Sequence, residues 1–402
     1  MKLENSTFFT QVKTALFFFV FSAFYGLILR LTKVVDFIPI AYNNLLQSHS
    51  HVTFLGWGFL AVISLVGFAF YPKILDQSMY LKRLFYIMVV TLLGMLISFP
   101  IQGYKLFSIL FLSIFLIVSY LYLFRIYKEL KEHKSYSSKF IKTAILYYLL
   151  SSLAIWAIAI VAVKFGKTTL YYNSIYFYLH FLYNGFFVFS LFGLLIKYLE
   201  NKQVVVGEEL LKYFYLLTNL SCIPAYAMSL LWSEVPKYVY FIAFFAAIIQ
   251  LVSLYYLFSI KRIFFKIISS RQLKLIGIIV FVSYFLKIIL QLISSFPVII
   301  KNVVALKHYF IIGYIHLFTL GFMSLIILLL LSIISKVKFN RLGLNMLILG
   351  IILSEFVLFF QGASLFLFRN GIANINMLLL LVSALMPFGL LLILRTFKRT
   401  VK

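Results

Sequence analysis

Three copies of a short histidine pattern occur in this chain. Each copy is a histidine, any four residues, a glycine and an aromatic residue, and the copies begin at His51, His180 and His316. The chain has only six histidines, so half of them carry the pattern. The copies are separated by 129 residues (51 to 180) and by 136 residues (180 to 316). Such regular spacing indicates a repeated architecture.

Histidines in this pattern could hold a redox cofactor, because a neutral imidazole is a common protein ligand for haem iron and for copper. Two imidazoles on a haem iron form an electron-transfer centre, whereas one leaves a position open for a small gas. Three imidazoles suit copper or zinc. We therefore predict a metal or redox-cofactor site, for which haem iron, copper and zinc stay open at this point. Its cofactor ligands are predicted to be His49, His51, His180 and His316.

One further metal ligand is expected from the same part of the sequence. His308 stands eight residues before His316, ahead of the apolar segment, where a loop could hold it over the site. The predicted metal ligands are thus His51, His180, His308 and His316. A lone histidine near a membrane surface usually serves only as a hydrogen-bonding residue. Five of the six histidines lie at the beginnings of the same three predicted helices, and this grouping favours ligation.

The elements that must position these residues are membrane-spanning helices. Hydrophobic residues make up 64% of the chain and charged residues 11%, which is outside the range of soluble domains. Apolar runs of about 20 residues recur, and a helix of this length crosses a bilayer. We predict an all-α integral membrane protein with a single transmembrane domain (1–402) and no soluble domain. The predicted spans are 13–32, 50–71, 84–101, 105–126, 141–163, 175–197, 210–231, 238–260, 273–294, 309–334, 342–366 and 374–396.

These twelve spans form three pseudo-repeats of four, because the histidine pattern begins spans 2, 6 and 10. The pattern glycine is expected one and a half α-helical turns below its histidine. A glycine there would allow a neighbouring helix to approach closely. The aromatic residue after it is expected to pack rather than to bind.

The positive charge of the chain predicts its orientation. The formal net charge is +26, and most Lys and Arg residues fall between spans on one side. This bias is typical of the cytoplasmic side of membrane proteins. It predicts a multi-pass protein of a bacterial-type inner membrane, with both termini in the cytoplasm and the histidines near the outer face. The basic residues are expected to contact anionic lipid and not nucleic acid.

Three polar residues inside the spans are further candidates. Glu355 is the only carboxylate deep within a predicted span, and Lys287 is its expected partner. Ionisable residues inside a membrane are commonly functional. Asn184 falls one turn below His180 on the same helical face. We predict that these three residues support the site or carry protons.

Together, the spans and histidines resemble the main subunit of haem-copper oxidases and of the related nitric oxide reductases. The segment from His49 through His51 to Trp57 is similar to the His-x-His…Gly-Trp signature of the cbb3-type branch, which holds two haems in that family. The pattern at His180 resembles the sixth-helix motif that bears a copper ligand. A small family of NnrS-type proteins, which contain haem and copper and are linked to nitric oxide stress, has a similar number of spans and similar histidines.

The chain departs from the oxidase pattern in three respects. The family signature lies on the tenth helix, whereas His49 and His51 lie on predicted span 2. The seventh helix of that family carries two adjacent copper-binding histidines, whereas 210–231 contains none. Only ten Asp and Glu residues are present, nearly all in loops, so proton pumping is not expected.

The resemblance implies a haem-binding respiratory membrane protein that moves electrons or handles O2 or NO at an outer-face histidine site. As an enzyme it would be an oxidoreductase acting on O2 or NO. The implied partners are the lipid bilayer, a cytochrome or other redox protein, and other oxidase-like subunits. Two alternatives stay open. One is a transporter or metal-trafficking protein without a redox cofactor, and the other is a catalytically inactive oxidase-like assembly subunit.

Overall fold

The computed structural model describes residues 6–300 and 306–397. Within these ranges all regular elements are helical, as the sequence predicts. We number twelve principal helices in chain order. They are α1 (Ser6–Leu31), α2 (Tyr42–Phe70), α3 (Met79–Gln102), α4 (Leu106–Glu129), α5 (Tyr136–Phe165), α6 (Thr169–Asn201), α7 (Glu208–Cys222), α8 (Lys237–Ile267), α9 (Arg271–Ser294), α10 (Tyr309–Ile334), α11 (Arg341–Phe368) and α12 (Ile375–Thr396).

Helix α7 differs from the predicted seventh span. Among the described residues, eleven helices are long and apolar enough to cross a membrane, and α7 is not one of them. It has 15 residues and is followed by a 3₁₀ helix, Pro224–Leu230. Proline has no N–H and cannot continue an α-helical ladder. The apolar segment 210–231 is therefore divided into two short helices.

Two of the histidine-bearing helices begin earlier than their hydropathy predicts. Helix α2 begins at Tyr42 instead of near position 50, and α6 begins at Thr169 instead of near 175. Their first turns contain polar residues such as Asn43, which an apolar window does not include. As a result, His51 and His180 lie well inside their helices and not at the beginnings.

The chain divides into two compact units. One contains α1 to α4 together with α11 and α12, and the other contains α5 to α9 and most of α10. In the first unit α1 packs on α2 and α12, α3 packs on α4, and α11 packs on α12. In the second unit α5 packs on α6, α7 on α8, and α9 on α10. The same order of helix pairs therefore recurs in each predicted repeat.

Glycines bring α11 and α12 close together in the first unit. A Cβ atom added to Gly343 would lie 2.6 Å from the backbone oxygen of Gly389, and a Cβ added to Gly389 would lie 2.6 Å from the oxygen of Gly343. Apolar burial contributes little to helix association in lipid, so small residues that allow close packing matter more. This reciprocal pair stabilises the last helical hairpin.

Candidate functional site

A π-helical segment follows each of the three pattern histidines. Such segments are rare and occur frequently at functional sites. Three copies of one rare backbone form at one motif show that the sequence pattern is a structural repeat. The segments are Val52–Phe59 after His51, Phe181–Phe187 after His180, and Leu317–Ser324 after His316.

The π-helical backbone changes the expected position of the glycine. An α-helix pairs residue i with residue i+4, whereas a π-helix pairs i with i+5. The glycine follows its histidine by five residues, so it lies one π-helical turn away. The predicted separation of one and a half α-helical turns between histidine and glycine is therefore wrong. A π-helical turn contains more residues than the α-helical turn on which that prediction was based.

Each pattern glycine faces the preceding helix at an equivalent position. The partner residue stands 38 positions earlier in the chain in all three copies (56 and 18, 185 and 147, 321 and 283). A Cβ atom added to the glycine would come too close to this partner. The distances would be 2.8 Å from Gly56 to Phe18 Cβ, 2.5 Å from Gly185 to Tyr147 Cβ, and 2.6 Å from Gly321 to Ser283 Oγ.

The aromatic residue after each glycine also has an equivalent partner, again 38 positions earlier. Glycine and aromatic residue thus hold α2, α6 and α10 against α1, α5 and α9, in the packing role expected from the sequence. The ring centroids are 4.4 Å apart for Phe19 and Trp57, 5.2 Å for Tyr148 and Phe186, and 4.8 Å for Tyr284 and Phe322.

His49 packs against α1 in the first unit. Its Nδ1 lies 2.8 Å from the backbone oxygen of Ser22. A carbonyl only accepts, so Nδ1 carries the proton and Nε2 carries the lone pair. The ring lies against Gly26, where an added Cβ would be 3.1 Å from His49 Cε1. Metal-binding histidines commonly have their other N–H held by a carbonyl in this way.

His51, in the same helix, contacts a different neighbour. Its Nε2 lies 2.7 Å from the hydroxyl of Tyr104, in the short connection between α3 and α4. Its ring stacks on Phe99 with centroids 4.7 Å apart. Residues two apart on a helix diverge by about 200°. His49 and His51 accordingly face different elements of the first unit.

His180, in the second unit, is 3% exposed and forms hydrogen bonds through both ring nitrogens. Its Nε2 lies 2.8 Å from the backbone oxygen of Cys222, and its Nδ1 lies 3.3 Å from the amide nitrogen of Asn184. The amide oxygen of Asn184 lies 2.5 Å from Nζ of Lys287. We call these four residues of α6, α7 and α9 the Lys287 network.

The chemistry of the Lys287 network defines where its protons are. The amide oxygen of Asn184 only accepts, so the amino group of Lys287 beside it donates to it. The amide NH2 then faces Nδ1 of His180, which must accept. The imidazole proton is therefore on Nε2, which donates to the carbonyl of Cys222. With a neutral His180, each of the three hydrogen bonds that join these four residues has one donor and one acceptor.

The end of α7 explains why the Cys222 carbonyl accepts from His180. In a continued α-helix, this carbonyl would accept from the N–H of Tyr226. In the 3₁₀ turn, the N–H of Tyr226 instead donates to the oxygen of Ile223, at 3.1 Å. A carbonyl left out of a helical ladder costs free energy when it is buried. The imidazole of His180 supplies the missing donor.

Lys287 and Glu355, the expected ion pair, lie in different units. Lys287 is 2% exposed, and its hydrogen-bond acceptor is Asn184. Its Nζ also lies 5.2 Å from the ring centroid of Tyr284. Glu355 is 7% exposed in α11 and interacts electrostatically with Arg30 of α1.

The remaining candidate histidines lie on one helical segment. His316 ends Lys307–His316, directly before the π-helical segment of α10. Phe318, two residues later, stacks on Tyr183 of α6 with centroids 5.2 Å apart. A loop was expected at His308, but this residue lies in the first turn of the helix Lys307–His316. Its side chain lies outside the described residues.

Sequence reasoning missed Tyr104, Ser22 and Gly26, which contact the two histidines of α2. Tyr104 is one of 28 tyrosines and carries no distinguishing signal. The contact of Ser22 is made by its backbone. Gly26 offered a weak signal, because it is the one glycine in the predicted span 13–32.

Comparison with known proteins bears on the fold alone. No protein-family profile matches the sequence, and no curated protein matches it. The fold is similar to that of a chain in a heme-copper terminal oxidase dimer determined by cryo-EM. The TM-score is 0.66 at 11% sequence identity, and the similarity covers 97% of this chain and 81% of the other. This multi-pass membrane protein therefore has a heme-copper-oxidase-like fold, as the sequence predicts.

Proposed function

We propose that this chain is a haem-binding membrane protein of the heme-copper oxidase class, which transfers electrons or handles O2 or NO. The observation that carries this proposal is the geometry of His49. Its Nδ1–H donates to the Ser22 carbonyl at 2.8 Å, which leaves a lone pair on Nε2. A neutral imidazole held in this way is suited to bind iron. When bound, a haem would supply the electron-transfer chemistry.

The surroundings of His49 support this assignment. Gly26 has no side chain, so the imidazole can lie against α1 without a clash. Thr53 donates to the backbone oxygen of His49 at 2.6 Å, and its hydroxyl also contacts that of Ser22. The histidine and its acceptor are therefore held by the same two helices. Such support fixes the direction in which Nε2 points.

His51 and His316 stay proposed ligands because each begins an equivalent π-helical segment. Nε2 of His51 is bonded to the Tyr104 hydroxyl, so that nitrogen would have to exchange the phenol for a metal. The number of imidazoles on the iron decides the chemistry. Two imidazoles favour electron transfer, whereas one leaves a position for O2 or NO.

The proposed setting follows from charge and fold. The bias of Lys and Arg supports an inner membrane of bacterial type with both termini in the cytoplasm. A membrane redox protein needs an electron donor, so we propose a cytochrome or another redox protein as a partner. Other oxidase-like subunits are further proposed partners.

One spectrum tests the proposal. The full chain is made in haem-replete cells, purified in detergent, and measured as a reduced-minus-oxidised difference spectrum. A Soret band and stoichiometric iron are expected. His49→Ala should lose most of the haem, whereas His133→Ala, at an exposed position between α4 and α5, should keep it. Elution of both variants at the wild-type volume separates loss of the ligand from loss of the fold.

Two results would overturn the proposal. One is a colourless wild-type protein without iron. The other is a His49→Ala variant with wild-type haem content. A colourless protein would favour the second candidate, a catalytically inactive oxidase-like assembly subunit. That candidate is supported by the engaged nitrogens of His180 and by the absence of histidine from 210–231.

A further inference from the structure

We propose that the amino group of Lys287, acting through Asn184, holds His180 with both ring nitrogens engaged, so that the Lys287 network is metal-free and His180 binds no copper. This assignment differs from the copper that the sequence pattern at His180 suggests. It does not depend on haem binding, because the network involves α6, α7 and α9 and His49 lies in α2.

The first argument is the occupation of the imidazole. A metal binds a ring nitrogen through its lone pair, and the ligand nitrogen must be deprotonated. Nε2 of His180 carries the proton and donates it to the Cys222 carbonyl at 2.8 Å. The lone pair of Nδ1 accepts from Asn184 at 3.3 Å. Copper could bind only after one of these hydrogen bonds had been broken.

The second argument is the burial of Lys287. Its side chain is 2% exposed, and the oxygen of Asn184 and the ring of Tyr284 face its amino group. A metal on Nδ1 of His180 would displace Asn184, which is the hydrogen-bond acceptor of this amino group. Loss of that contact would leave a buried donor without its acceptor, which costs free energy.

The third argument is the donor set. Copper prefers several nitrogen or sulfur ligands arranged around one point. Among the residues that the structure describes, no group of three or more His, Cys, Asp or Glu side chains could hold a metal ion. The group that α7 presents to His180 is a backbone carbonyl, not an imidazole.

The repeat shows that the lysine is specific to one helix. Lys287 stands four positions after Ser283, as Ser22 stands four after Phe18 and Ser151 four after Tyr147. Two repeats thus have a small hydroxyl at this position, and the third has a long basic side chain. The side chain of Lys287 reaches Asn184, at a position that is leucine in the other two pattern copies, Leu55 and Leu320. The lysine and its acceptor therefore occur together.

Metal analysis tests the first part of the proposal. Wild type and His180→Ala are purified from copper-supplemented cells, and copper, zinc and iron are measured in the same samples. We expect no copper that depends on His180. Stoichiometric copper that disappears in His180→Ala would overturn the proposal, whereas copper retained in that variant is bound elsewhere and supports it. Iron, read separately, reports on the haem proposal.

Nitrogen NMR of ¹⁵N-histidine-labelled protein tests the second part. The His180 signal, assigned by its loss in His180→Gln, should be that of a neutral imidazole protonated on Nε2. Asn184→Asp replaces the donor to Nδ1 by an acceptor while Nε2 still faces the Cys222 carbonyl, so the ring should gain a proton on Nδ1 and become an imidazolium. Lys287→Met should shift the signal, and Lys266→Met, at an exposed position in α8, should not. A wild-type ring protonated on Nδ1, or one unchanged in both network variants, would contradict the proposal.

Discussion

Replacement of Gly185 by alanine should destabilise the contact between α5 and α6. The new Cβ would lie 2.5 Å from Tyr147 Cβ and 2.7 Å from its Cγ. Carbon atoms in favourable contact are about 3.5–4.0 Å apart, so the two helices would have to separate by about 1 Å. Because the Tyr147 Cβ is attached to the backbone, rotation of the side chain cannot relieve the clash.

The size of the effect follows from two opposing terms. Overpacking of a well-packed interior costs about 3 kcal/mol at the upper end of its usual range. Alanine is better than glycine in a helix by about 1 kcal/mol. The net loss should therefore be about 2 kcal/mol. This loss lowers the melting temperature by several degrees.

The equivalent glycine of the third repeat is the matched control. A Cβ on Gly321 would lie 2.6 Å from Ser283 Oγ, which can rotate away, and 3.1 Å from Ser283 Cβ. The smaller clash and the gain in helix propensity should nearly cancel. Thermal unfolding of both variants in one detergent, followed by tryptophan fluorescence, compares them directly. A Gly185→Ala variant as stable as wild type, or no more destabilised than Gly321→Ala, would refute the reasoning.

Three further substitutions test individual contacts. Gly26→Ala places a Cβ 3.1 Å from His49 Cε1, so the Soret absorbance per chain should fall while the elution volume stays unchanged; unchanged absorbance would count against His49 as a ligand. Tyr104→Phe removes the hydroxyl bonded to His51 and should cost about 1 kcal/mol in denaturant unfolding, whereas full stability would mean that water replaces it. Gly103→Ala introduces a side chain at φ +64, so it should lower the melting temperature, and an unchanged value would show that the turn can relax.

Hydropathy was sufficient for the class of protein and for most helices. The length of each apolar run determines whether a helix can cross a bilayer, and this property is local. The predicted helix boundaries are wrong where a property other than hydropathy determines the helix. Pro224 divides the seventh segment because it lacks an N–H. The polar first turn that begins at Tyr42 is helical although it is not apolar.

The histidine pattern predicted the repeat but not its backbone form. The offsets of 129 and 136 residues correctly aligned Gly56, Gly185 and Gly321, which occupy equivalent contacts. The π-helical turns after the histidines were not predicted. Replacing i to i+4 pairing by i to i+5 pairing changes no residue type, so a periodicity argument cannot detect it.

The sequence by itself determined that five of the six histidines lie on three equivalent helical segments, because residue type and spacing are properties of the chain alone. The directions of the His49, His51 and His180 rings were decided only by tertiary structure. His180 meets Cys222 across 42 positions, and Asn184 meets Lys287 across 103. Helical periodicity assigns a residue to a face, but the neighbour on that face is set by long-range packing. That neighbour decides which ring nitrogen keeps a lone pair.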